Sequence, residues 1–115
     1  MHELGIANSV LEAVREEIRR HPGAVPRKVG LAVGELAGVD PDCLQFNFQA
    51  LTRGTEWEGL RLEILWRPRR HRCPACGSEF DIVDYNFACP SCGETRTECV
   101  SGDELELKYL EVEQP

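Results

Sequence analysis

Apolar residues recur at helical spacing over residues 3 to 20. Ala7, Val10, Leu11, Val14 and Ile18 fall on one stripe, with Glu12, Arg15, Glu16 and Arg19 on the other side, which predicts an amphipathic helix. Arg19, Arg20 and His21 suit its negative C-terminal end, and Pro22-Gly23 stops it. The period then drops to two in KVGLAVGEL, where Val29, Leu31 and Val33 point one way with small residues between them. That is the pattern of a strand. A second helix begins at Asp40-Pro41, a capping residue followed by proline at the first helical position. Leu44, Phe48 and Leu51 form its buried stripe, and Gly54 is its stop. LRLEILW alternates again, with Leu60, Leu62, Ile64 and Trp66 against Arg61 and Glu63. Strand, helix and strand within about forty residues predict a right-handed crossover and a parallel pair.

RPRRHR, residues 67 to 72, breaks the pattern and reads as a solvated basic linker. A cysteine-rich stretch runs to about residue 100, and ELELKYLEV then alternates as a last strand with Leu105, Leu107 and Tyr109 on one face. That strand most simply returns to the first sheet. The expected fold class is α+β: two helices packed on a small mixed three-stranded sheet, with a zinc-ribbon-like module inserted between two strands. Residues 1–66 plus 103–115 then form one domain and residues 67–102 the other.

Charge changes the functional picture. The 115 residues carry a net charge of −7, whereas sequence-independent nucleic-acid binding requires a basic face. No apolar run reaches the roughly 20 residues of a membrane span. The first residues also lack the basic-then-apolar order of a secretion signal, so the expected location is the cytoplasm.

Six cysteines are present, and in a reducing compartment paired cysteines mean metal rather than disulfides. Four fall in matched pairs, Cys73-Pro-Ala-Cys76-Gly and Cys89-Pro-Ser-Cys92-Gly. Two residues between thiolates let both sulfurs of a pair meet one ion at about 2.3 Å, and the glycine supplies the positive φ of such a turn. Four thiolates make a closed tetrahedral set, so zinc is expected and its role is structural, with no open position for catalysis. An iron site is the competing reading. Bound zinc contributes on the order of 10 kcal/mol to folding a segment of this kind. Cys43 and Cys99 lie outside the pattern, Cys43 reading as a small buried thiol. His71 stands two residues before Cys73 and is placed with the solvated linker rather than the metal.

The opening Met1-His2-Glu3 raises a second metal question. A terminal amine, the amide of residue 2 and the His2 imidazole can close adjacent chelate rings; alternatively the amides of His2 and Glu3 bind together with the imidazole. Either set is flat and rich in nitrogen, which suits Ni(II) or Cu(II) rather than tetrahedral zinc. A carboxylate, from Glu3 or from a residue brought near in space, would complete it. On spacing alone, His2-Glu3 serves equally well as a polar lead-in to a helix. The zinc-protease helix motif fails, because its second histidine would stand at Ile6.

Taken together, MHELGIANSVLE, VGELAGVDPDCLQFNFQ, the CPACG/CPSCG pair and SGDELELKYLEVE resemble the HypA family, over essentially the whole chain. The family consists of nickel metallochaperones of [NiFe]-hydrogenase maturation, some of which also serve urease. The resemblance implies nickel as cargo at His2, with Glu3 assisting through backbone or side chain, and a role for Asp40, which is also an excellent helix cap. It implies a HypB-type GTPase and the hydrogenase large-subunit precursor as partners, no catalysis of its own, and a monomer or homodimer. Some members carry histidines beside the zinc cysteines; this chain has glycines there, so only His71 could exchange with a thiolate. The rival reading is a zinc-ribbon module binding nucleic acid or a transcription component through Arg67, Arg69, Arg70 and Arg72. A small enzyme using His2 and Glu3 lacks a nucleophile.

Overall fold

The computed structural model describes residues 2–114. Helix α1 spans Glu3–Arg20 and buries Glu3, Ala7, Val10, Leu11 and Val14, the predicted stripe with one unforeseen carboxylate and with Ile18 only half-buried. Its outer face carries the pairs Arg15–Glu12, Arg19–Glu16 and Arg20–Glu17, each worth a few tenths of a kcal/mol. Strand β1 spans Val25–Gly34. Helix α2 spans Pro41–Thr52 and buries Leu44, Phe48 and Thr52. Asp40 caps it, its Oδ1 accepting from the N–H groups of Asp42 (3.0 Å) and Cys43 (3.2 Å), which satisfies two of the donors that a helix start leaves open. Strand β2 is Arg61–Arg67, β3 Arg70–Arg72, β4 Glu79–Asp81, β5 Glu98–Ser101 and β6 Leu105–Glu113.

The strands form two small sheets, ordered β2-β1-β6 and β4-β3-β5. The last strand therefore returns to β1, and the fold is α+β with helices and a small mixed sheet. Two compact units result. One takes the chain through Ala32, Val39–Leu65 and the chain from Glu106; the other takes Val33–Gly38 and Trp66–Leu105. Among the described residues no helix is long and apolar enough to cross a membrane.

In the first unit α1 packs on α2, and the core is built from Ala7, Val10, Leu11, Val14, Val29, Leu31, Leu44, Phe48 and Leu62. Gly30 of β1 lets the Tyr109 ring of β6 lie flat across it, since a Cβ there would run into that ring. Tyr109 reaches over to donate a hydrogen bond to Glu63 of β2. This pushes the phenol up to about 12: hydrogen bonding to the Glu63 carboxylate comes first, then burial.

Two expectations need correction. RPRRHR is not a linker: Arg70–Arg72 is the central strand of the second sheet, pairing antiparallel with both β4 and β5. Its only buried side chain is a histidine, so no apolar alternation announces it. The apolar faces of the outer strands are also less covered than their alternation suggests, with Trp66, Leu105 and Leu107 exposed by 44%, 45% and 42%. An edge position leaves such a face only half shielded.

Candidate metal centre

In the second unit two tight turns present the cysteines. Gly77 N–H donates to Cys73 O (2.8 Å) and Cys73 N–H to Ser78 O (2.9 Å); Gly93 N–H donates to Cys89 O (2.9 Å) and Cys89 N–H to Glu94 O (2.9 Å). Gly77 and Gly93 sit at φ 81° and 82°, the left-handed conformation expected of the residue after each pair. The four sulfurs lie within 4.8 Å of one another, with Cys73–Cys92 at 3.5 Å and Cys76–Cys89 at 3.6 Å. A tetrahedron with ligands at about 2.3 Å has edges of about 3.8 Å, so the donor set fits structural zinc. Cys73 and Cys89 are buried, Cys76 and Cys92 exposed.

The thiols differ in acidity. Hydrogen bonding with the Ser78 side chain and backbone brings Cys76 down to about 6. The Glu94 N–H pulls Cys92 down, but hydrogen bonding with Cys73 and burial outweigh it and push Cys92 up to about 12. Four uncompensated thiolates in one place repel each other, and a divalent cation removes that conflict.

His71 stands on β3 and is not solvated. It is buried, stacked on Phe87 with ring centroids 5.5 Å apart. Arg69 Nε–H donates to its Nε2 (3.0 Å), so the ring proton belongs on Nδ1, which donates to Thr97 Oγ1 (2.9 Å); Thr97 donates onward to Phe87 O (2.7 Å). Burial, then the Arg69 charge, hold the imidazole below its ordinary pKa. Both nitrogens are engaged, so His71 is a satisfied core histidine and not a spare ligand. The arginines are engaged too: Arg70 pairs with Asp81 (2.6 Å), Arg72 with Glu98 (3.3 Å), and Arg69 lies over Phe87. Carboxylates thus neutralise two of the four arginines on which nucleic-acid binding would depend.

In the first unit His2 is the exposed N-cap residue of α1, and its side chain makes no capping hydrogen bond. Its carbonyl accepts from Ile6 N–H (2.9 Å). Glu3, the next residue, is buried, 4% exposed. Its Oε2 accepts from Asp40 N–H (3.2 Å) and its Oε1 from the Cys43 thiol (3.7 Å). The structure thus brings Glu3 and Asp40 together, through the Asp40 backbone. Among the described residues the four cysteines are the only group of three or more His, Cys, Asp or Glu side chains whose ligand atoms converge. His2, Glu3 and Asp40 are not a preformed side-chain cage. The amine of Met1, the other nitrogen donor considered, lies outside the described residues. Sequence reasoning missed the Cys43 contact: a thiol in the first turn of α2 gives no sign that it faces α1.

A sulfur-built metal module joined to a helical unit that opens on an exposed histidine defines, as a class, a small metal-binding protein. Residues 1–112 match the family model described as "Hydrogenase/urease nickel incorporation, metallochaperone, hypA". Proteins named "Hydrogenase maturation factor HypA" from Geobacter metallireducens, Chlorobaculum tepidum and Alkalilimnicola ehrlichii are 43%, 42% and 41% identical over 113 residues, covering 98% of this chain and all of each relative. The fold is shared with the solution structure of the Ni metallochaperone HypA from Helicobacter pylori, at TM-score 0.62 and 17% identity with 98% of each chain covered. A second solution structure of a HypA protein matches at TM-score 0.71 and 20% identity, covering 100% of this chain and 98% of that one. The chain belongs to the HypA family.

Proposed function

We propose that the chain takes up Ni(II) at its first residues and delivers it during maturation of [NiFe]-hydrogenase. His2 supplies the imidazole and the backbone at residues 2 and 3 supplies nitrogen, with Glu3 and Asp40 nearby. The observation that carries this reading is the position of His2. It is exposed, uncommitted to capping, and stands at the start of a helix in a chain that matches a nickel-incorporation family from residue 1. The first N–H groups of a helix have no intrahelical acceptor, so a metal that displaces their protons breaks no helix hydrogen bond. Flat nitrogen sets of this kind suit Ni(II), and an exposed site can be reached by a recipient. Binding that deprotonates amides strengthens as pH rises.

Zinc held by Cys73, Cys76, Cys89 and Cys92 has a structural role; residues 67–102 serve as a docking module, and the remainder of the chain binds nickel. The partners are a HypB-type GTPase and the hydrogenase large-subunit precursor. The protein works in the cytoplasm as a carrier and does not catalyse a reaction. Calorimetric nickel titration of untagged protein tests the core of this. One tight nickel per chain is expected, lost in His2→Ala with zinc retained; unchanged nickel binding by His2→Ala would refute it.

A further inference from the structure

Among the described residues Glu3 is the sole buried carboxylate, and a buried charge is tolerated only where donors meet it. Both of its oxygens are met from the first turn of α2, by the Asp40 N–H and the Cys43 thiol. The thiol is itself oriented. Asn47 Nδ2 lies 3.4 Å from Cys43 Sγ and 2.9 Å from Cys43 O, so the amide donates to the sulfur and leaves the S–H free to point at Glu3 Oε1. Cys43 N–H is meanwhile spent on Asp40 Oδ1.

We propose that Cys43 is a positioning residue of the nickel site: its thiol, aimed by Asn47, holds the Glu3 carboxylate inward and so fixes the backbone of residues 2 and 3 that presents nitrogen to the cation. This rests on the reading that nickel sits at His2. Chelation by an imidazole and neighbouring amides demands one backbone geometry at those residues. A first helical turn ordinarily frays. Tying Glu3 to α2 removes that freedom before the cation arrives.

The test is Ni(II) titration of the full chain with zinc bound, read by calorimetry and by absorption, on the parent, Cys43→Ser, Cys43→Ala and His2→Ala. Serine keeps a donor and alanine removes it. Cys43→Ser is expected to bind nickel as the parent does, and Cys43→Ala about three- to tenfold more weakly, the effect of one ordinary hydrogen bond, since a thiol is a weak donor, with zinc content unchanged. Equal affinity of Cys43→Ala and parent overturns the proposal, as does an equal loss in Cys43→Ser. A sulfur-to-nickel absorption band in the parent that vanishes in both Cys43 variants also overturns it, because Cys43 would then be a ligand. Normal nickel binding by His2→Ala removes the underlying reading itself, an outcome separate from any result at Cys43.

Discussion

Stripping zinc should unfold one half of this protein and leave the other standing. From Trp66 to Leu105 the buried apolar side chains are Cys73 and Cys89, and His71 is the one buried polar residue. No aliphatic or aromatic side chain there is fully covered, and the three strands hold three, three and four residues. Ordering each residue costs roughly 1–2 kcal/mol in backbone entropy alone, which so small a core does not offset. Structural zinc contributes about 10–16 kcal/mol in comparable modules, as much as the whole stability of an ordinary domain. The first unit has its own core of Val10, Leu11, Val14, Leu31, Leu44 and Phe48. Amide hydrogen exchange on zinc-loaded and chelator-treated protein, with zinc measured in parallel, reads both halves at once. The amides of His71, Phe80 and Cys99 should fall to near-unfolded exchange rates without zinc, while those of Val10, Val14 and Leu31 stay protected. Protection of His71 persisting in fully zinc-free protein would refute the reasoning.

Three further outcomes follow from single contacts. Asp40→Asn keeps a capping oxygen for α2 and removes the charge, whereas Asp40→Ala removes both. Thermal melting should fall by the equivalent of about 1 kcal/mol in the alanine variant only, and a nickel affinity reduced in the asparagine variant as well would show that the carboxylate serves the cation beyond its capping role. Gly34→Ala places a Cβ on the Gly102 backbone carbonyl, which no rotamer change relieves, and should cost about 1–3 kcal/mol in urea denaturation. Tyr109→Phe removes the hydrogen bond to Glu63. Because the folded phenol is raised to about 12 from an ordinary value of 10, the stability it contributes is fully present below pH 10 and is lost as pH rises through about 12. Urea midpoints of parent and variant should therefore differ at pH 8 and converge above that range.

The parts of the fold that announced themselves are those where burial alone selects the residue type. Ala7, Val10, Leu11 and Val14 mark the inner face of α1 because one stripe of an 18-residue helix meets the core, and Asp40-Pro41 marks the start of α2 because cap and proline act within a single turn. The cysteine pairs were equally legible, since the spacing that bends each turn also aims both sulfurs at one point. Strand β3 was not, because RHR owes its place to ladders with β4 and β5 and to a histidine satisfied by Arg69 and Thr97, partners remote in type or position from any apolar pattern.

Local periodicity and coordination spacing thus determined the two helices and the turns that present the paired cysteines, since each depends on neighbours within a few turns of chain. Only the tertiary structure decided what becomes of Glu3. It buries the carboxylate against Asp40 and Cys43, 37 and 40 residues away, because a charge leaves water only where distant backbone and side chain supply its hydrogen bonds.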